Sequence, residues 1–363
     1  MSAAWTGSTG CSCSSRRPLR TRTVCLPMLP RNLRRPLFWE HGCSTKGASI
    51  METSNESFLQ ALRSLSEAAS RRDGKGEGTF DLGNPELPEP VDGFVDFGHL
   101  SLRGLPNTRD LGGMPAADGR VVVANRLIRS GDLHKAASKD LEVLGNQVGL
   151  RRVVDFRTAF ERSKAPDPEP FMPFARFYHV PVVSEQAVGV TREAGLMGDL
   201  RLFREYSGTP FEAVAHVYRQ ALLGEDGIHA YSSLLEILLA ADRGATLWHC
   251  TEGKDRAGLA SVIVEYALGM SPQVIMADYL ATNCFVRNWA ERMADALGRA
   301  HLAEMLDGDV DALFYANSVY LVTGVAAVSE RYGSFDDYLT QALHFGPGKR
   351  EKLRRMYLTE LDS

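Results

Sequence analysis

No stretch of 18 apolar residues occurs in the 363-residue chain, which excludes a helical membrane span of ordinary length. Cysteine is scarce: four of the six (Cys11, Cys13, Cys25, Cys43) lie in the first 50 residues, leaving Cys250 and Cys284 for the rest. A body with two cysteines builds no disulfide framework and must be held by its apolar core. Acids are almost missing from residues 1–50, where Glu40 stands against seven Arg and one Lys. The net charge of −4 therefore hides a body, 51–363, that carries −11. Such an acidic body speaks against nucleic acid as the main partner.

What is present divides the chain into three. Residues 1–50 are rich in Arg and Ser and show no apolar periodicity. They read either as an organelle transit peptide or as an extension upstream of a true start at Met51. Cys11-x-Cys13 and His41-x-Cys43 are too irregularly spaced for a metal site, and no metal or cofactor is expected anywhere in the chain. Residues 51–94 read as a helix followed by a flexible linker. Thr53 and Glu56 form a capping-box pattern, Phe58, Leu62, Leu65 and Ala69 recur at helical spacing, and 72–94 is rich in Gly, Pro and Glu.

Residues 95–363 alternate between two periodicities. Apolar β-prone runs at 121–128, 150–156, 176–183 and 245–249 are interleaved with helical patterns near 138–148, 210–222, 228–241, 256–269 and 272–285. Alternation of this kind predicts an α/β domain with a central, mostly parallel sheet flanked by helices, and ligands at the C-terminal ends of the strands. The segment 286–330 reads as largely helical and fits either a lid or ordinary core cover.

One strand end carries the chemistry. Ala245–Trp248 is short and apolar, and it leads into His249-Cys250-Thr251-Glu252-Gly253-Lys254-Asp255-Arg256-Ala257-Gly258. The run Leu259–Leu268 then reads as a buried helix closed by Gly269. A strand feeding a loop that opens a helix aims successive N–H groups and the positive end of the helix dipole at one spot. Residues 251–256 would wrap a tetrahedral anion there, with Arg256 offering a two-donor fork. A thiol at Cys250 would be pulled from ~8.5 to roughly 3.5–7.5 by the helix end and the cations Lys254 and Arg256.

This run resembles the phosphate-binding loop of protein tyrosine phosphatases, in particular the microbial family whose loop reads His-Cys-x-x-Gly-Lys-Asp-Arg-x-Gly. Three further blocks carry the likeness, in order: Leu105–Gly113 with Asp118–Arg120 and Leu127–Leu133, then Val153–Arg157 with Glu161, then Asp278–Asn283. The resemblance implies a cysteine-dependent phosphomonoester hydrolase, and hence a phosphotyrosine protein substrate and a cytoplasmic, reducing setting. Phosphoserine or phosphothreonine turnover and phosphoinositide hydrolysis are further readings. A phospho-binding pseudophosphatase is the non-enzyme alternative, against which Cys250 and Arg256 both stand.

Roles follow by chemical type. Cys250 is the nucleophile, and His249 is a prop for the cysteine backbone. Two carboxylates compete as general acid: Asp155, at a strand end beside Arg157, is favoured over Asp255, inside the loop between two cations. Lys254 suits a second phosphate, whereas the carboxylate of Glu252 would repel one. Asn107, Arg109 and Asp110 either face substrate or tie the first loop to the sheet, with Arg109 and Asp110 reading equally as a structural pair or as part of the site. Ala257 departs from the family, which usually has Ser or Thr after the arginine. Ser261 is the nearby helix hydroxyl that could replace it.

Overall fold

The computed structural model describes residues 55–72, 94–183, 210–299 and 311–360. Residues 1–50, the Thr53 capping position and most of the 72–94 linker lie outside the described residues. Everything below concerns the unit Glu52–Ser363.

Five strands form the main sheet in the order β1 (Arg109–Asp110), β3 (Leu127–Ser130), β6 (Ala245–His249), β4 (Leu150–Asp155), β5 (Arg176–His179). Only β1 runs antiparallel to its neighbour. The domain is α/β with a mostly parallel sheet, as expected. Register aligns Ser130 and Asp155 with His249, and Asp155 with His179, so the C-terminal ends of four strands share one edge. Alternation along the strands sends Ile128, Val153 and Leu247 to one apolar layer and Leu127, Val154 and Trp248 to the other. Both faces are therefore covered, as a parallel sheet requires.

The apolar run 121–128 is two strands, not one. Val121–Val122 (β2) leaves the main sheet to pair with Leu358–Thr359 (β7). The break falls at Asn125, whose φ is +57° and whose N–H donates to Asp110 Oδ2 at 2.7 Å. A left-handed asparagine pinned by a carboxylate interrupts a strand that the apolar pattern alone would continue.

The helices are α1 (Asn55–Arg72), α2 (Ser138–Glu142), α3 (Ala159–Lys164), α4 (Pro210–Leu223), α5 (Glu225–Leu239), α6 (Arg256–Leu268), α7 (Pro272–Arg299), α8 (Asp311–Phe314), α9 (Ser318–Tyr332), α10 (Phe335–Asp337) and α11 (Pro347–Tyr357). Every residue of α6 from Ala257 to Leu268 is buried, and Gly269 closes the helix at φ +84°. α6 packs against α5, α7 and α11 as well as β3 and β6, which explains its lack of a polar face.

Candidate active site

The loop 250–255 leaves the central strand β6 and enters α6 at Arg256. Gly253 sits at φ +72°, and a Cβ there would lie 2.5 Å from the Ser130 carbonyl oxygen. Only glycine fits both the backbone and the space. The neighbouring strand end fastens the loop: Asp132 N donates to Thr251 O at 2.9 Å, and Asn107 Nδ2 donates to Glu252 O at 2.8 Å. Asn107 thus ties the first loop to the phosphate loop.

Cys250 lies at the floor of the loop, 3% exposed. The N–H groups of Gly253 and Ala257 donate to it, and Arg256 is nearby. These favour the thiolate, but burial outweighs them and the Asp255 carboxylate adds to it, so the thiol is pushed up. Burial thus runs against the depressed thiol that the helix end and the cations lead one to expect. Arg256 is itself paired. Its Nη1 donates to Glu161 Oε2 at 2.7 Å and its Nη2 to Glu161 Oε1 at 2.6 Å. Glu161 also accepts from Thr251 Oγ1 at 2.6 Å and from Thr158 N at 2.8 Å. Although Glu161 is largely desolvated, Arg256 holds it far below the usual carboxylate range.

Asp155 is enclosed rather than poised. It is 0% exposed, and Arg157 fills both of its oxygens: N and Nε donate to Oδ1 at 2.9 and 3.0 Å, Nη2 to Oδ2 at 2.9 Å. The same guanidinium reaches Asp167 Oδ2 at 2.9 Å, and His249 Nε2 stands 3.2 Å from that oxygen. His249 Nδ1 donates to Cys250 O at 3.0 Å, the backbone-propping role expected of it. The carboxylates of Asp155 and Asp167 raise His249 above its ordinary value despite burial, and His249 helps hold Asp167 down at about 2. Asp155, Asp167 and His249 offer ligand atoms within 4.8 Å of one another, a set a metal ion could use. The cation these carboxylates actually hold is Arg157.

Asp255 lies on the loop itself, its side chain 30% exposed, with Lys254 Nζ 3.5 Å from Oδ2 and Tyr218 Oη donating to Oδ1 at 2.8 Å. Lys254 is buried, and its Nζ donates to Leu313 O at 2.7 Å. That ammonium is engaged with α8 rather than free for a second phosphate. The segment around it is anchored further by Asn283, which bonds both the N–H and the C=O of Ala316. Glu252 is pushed up to about 7, chiefly by burial, with Asp132 adding to it and Lys135, Lys254 and Arg292 opposing.

Behind the loop, the first and last of the further sequence blocks converge. Arg109 and Arg129 both pair with Asp278, with no side-chain exposure beyond 1%. Arg109 and Arg129 also donate to Thr282 Oγ1, and Arg129 Nη2 donates to Gly253 O at 3.0 Å. Arg109 and Asp110 are therefore not each other's partners. Asp110 instead accepts from the N–H groups of Gly112 and Asn125. Removing Asp278 would leave two buried guanidiniums unpaired, a change that typically costs about 3–5 kcal/mol.

With this geometry in hand, comparison with known proteins is decisive. The model of the tyrosine phosphatase family matches residues 100–359. The chain belongs to that family. It is a phosphoric monoester hydrolase of the protein-tyrosine-phosphatase class. A candidate tyrosine-protein phosphatase of Cupriavidus necator is 33% identical over 247 residues, covering 67% of this chain and 84% of its own. A tyrosine-protein phosphatase of Nostoc commune is 23% identical over 230 residues, 62% of this chain and 72% of its own. The triple specificity protein phosphatase PtpB of Mycobacterium tuberculosis is 33% identical over a shorter stretch of 113 residues, 29% of this chain and 41% of its own.

Within this family member, several residues that contact the proposed site residues carried no signal in the sequence. Glu161 was visible in a block but carried no signal that it grips Arg256, 95 positions away. Asp167 lies in the unremarkable stretch Pro166-Asp167-Pro168, and Tyr218 on an ordinary amphipathic helix. Nothing local distinguishes them from surface acids or core aromatics.

Proposed function

We propose that the chain hydrolyses phosphotyrosine in proteins through a phosphocysteine intermediate. In this reading the Cys250 thiolate attacks phosphorus and the bond to the phenolic oxygen breaks. Asp255 gives its proton to that oxygen. Water then attacks the phosphocysteine, the P–S bond breaks, Asp255 takes a proton from the water, and the thiolate returns. The N–H groups of the loop and the fork of Arg256 bind the phosphoryl oxygens throughout. Thr251, Glu252, Gly253, Lys254, Asp255 and Arg256 form the cradle, with Lys254 acting through the loop's shape.

The observation that carries the acid assignment is the contrast between the two aspartates. Asp155 has both oxygens filled by Arg157 and no exposure, so neither oxygen can hand a proton to a leaving group. Asp255 is partly exposed on the loop that holds the phosphate, close enough to Cys250 to act on it electrostatically. Phosphoserine and phosphothreonine turnover is a secondary reading, supported by the name of the mycobacterial relative. Phosphoinositide hydrolysis is less well supported, because Lys254 is buried against Leu313 and Glu252 adds a carboxylate at the mouth.

Alkaline quench of a phosphotyrosine-peptide reaction should trap a phosphoenzyme that is stable to base, labile at weakly acidic pH and to iodine, and missing in Cys250→Ser. Asp255→Asn should slow phenyl phosphate by about 10²- to 10⁴-fold while sparing dinitrophenyl phosphate, which needs little protonation. The same pattern in Asp155→Asn instead would reverse the assignment.

A further inference from the structure

Tyr218, on α4, is fully buried, yet its hydroxyl reaches the loop and donates to Asp255 Oδ1 at 2.8 Å. Its oxygen lies 2.6 Å from Tyr279 Oη, on α7, which is 3.2 Å from the carbonyl of Asn317. Each phenol has one proton. A carboxylate only accepts, so the Tyr218 hydroxyl donates to Asp255, while the Tyr279 hydroxyl has two acceptors within reach, the Asn317 carbonyl, to which it donates, and the Tyr218 oxygen. The two rings meet edge to face at 6.5 Å, and Tyr320 packs on Tyr218 at 5.7 Å, so the pair is held by its surroundings and not by the loop. Burial pushes both phenols far above their ordinary value, so both stay protonated at any working pH.

We propose that Tyr218, backed by Tyr279, is the positioning residue of the general acid: it fixes Asp255 Oδ1, leaves the transferable proton on Oδ2, and stabilises the carboxylate formed as that proton departs. The inference rests on the reading of Asp255 as the acid. A hydroxyl bonded to a neutral acid is an ordinary hydrogen bond. Once the acid ionises, the bond becomes charge-assisted and stronger. The gain therefore arises in the transition state and belongs to kcat, not to substrate binding. Other groups facing Asp255 are Lys254, Arg256 and Cys250 from the loop, Tyr231 from α5 and Tyr279 from α7. The hydrogen bond to the Asp255 side chain comes from Tyr218, and Lys254 Nζ stands 3.5 Å from its other oxygen.

The test compares Tyr218→Phe, Tyr279→Phe and Asp255→Asn in the full chain, on phenyl phosphate and on dinitrophenyl phosphate, with orthovanadate affinity as a check on the loop. Tyr218→Phe should lower kcat on phenyl phosphate about 10- to 100-fold, the worth of one charge-assisted bond, with KM little changed. Its loss on the dinitrophenyl ester should be at least about tenfold smaller, because that leaving group needs little protonation. The basic limb of its kcat/KM profile should move to higher pH, since a bond favouring the ionised acid has gone. Tyr279→Phe should move the same quantities in the same direction by less, and it decides the matter if Tyr218→Phe does not fold. Equal losses on both esters, or an unmoved basic limb, would overturn the inference. If Asp255→Asn shows leaving-group dependence and the tyrosine variants do not, only the positioning role falls. If Asp255→Asn lacks it, the acid assignment falls and the positioning role with it.

Discussion

Glu161 and Arg256 meet fork to fork, each Glu161 oxygen accepting from a different terminal nitrogen of the guanidinium at 2.6–2.7 Å. The contact presets the plane in which Arg256 can meet two phosphate oxygens, and it also sets a carboxylate against the positive charge that favours a thiolate at Cys250. Geometry and electrostatics are thus set against each other by one pair.

Glu161→Gln separates them. Freed of its carboxylate partner, Arg256 should lower the Cys250 thiol, so iodoacetamide alkylation at neutral pH should accelerate by about threefold to tenfold. Turnover should fall over the same change, by about 10- to 100-fold in kcat/KM, because the fork is no longer held in plane. In the wild type the acid limb of kcat/KM should lie high, since the raised thiol must ionise as pH increases. Slower alkylation in Glu161→Gln would contradict this account.

Glu252 supplies a pH dependence of its own. Its folded value is raised from 4.5 to about 7, so the folded protein binds more protons than the unfolded chain between those values. Its contribution to stability is therefore largest at low pH and declines as pH rises through that window. Above 7 the ionised carboxylate also repels a phosphate dianion at the mouth. Glu252→Gln should match wild-type KM near pH 6 and show a lower KM at pH 8, measured on a single aryl phosphate. A ratio of the two KM values that stays constant with pH would count against it.

Ala257 provides an N–H to the sulfur but no hydroxyl. Ser261 cannot make up the difference: its Oγ donates to Ala257 O at 3.1 Å and stands 3.2 Å from Trp248 Nε1. Sulfur is the leaving group when water attacks the phosphocysteine, and one more charge-assisted bond is worth roughly 1.5–3 kcal/mol, or about one to two decades in rate. Stopped-flow on dinitrophenyl phosphate should therefore show a burst of phenolate followed by a slow steady state. Ala257→Ser should raise the steady rate and shrink the burst. A linear time course, the same in both proteins, would dismiss the idea.

Much of this was readable in the chain itself. The ten residues from His249 to Gly258 dictate a tight turn between strand and helix, because Gly253 supplies the positive φ that the turn needs. Alternating periodicities dictate a mostly parallel sheet, and the parallel sheet places that loop at its C-terminal edge. These are local properties, in which short-range sterics and patterning decide the outcome.

Tertiary structure alone decided which aspartate is enclosed and which is open. Asp155 and Asp255 look alike in sequence, each beside an arginine. Arg157 folds back onto Asp155, whereas Arg256 turns away from Asp255 to Glu161. The same holds for Lys254, a loop cation in sequence and a ligand of the Leu313 carbonyl in space, and for Cys250, where burial overrides the nearby positive charge. For Lys254, Arg256 and Arg109 the partner lies 59, 95 and 169 positions away. Sequence spacing carries no information about which partner arrives.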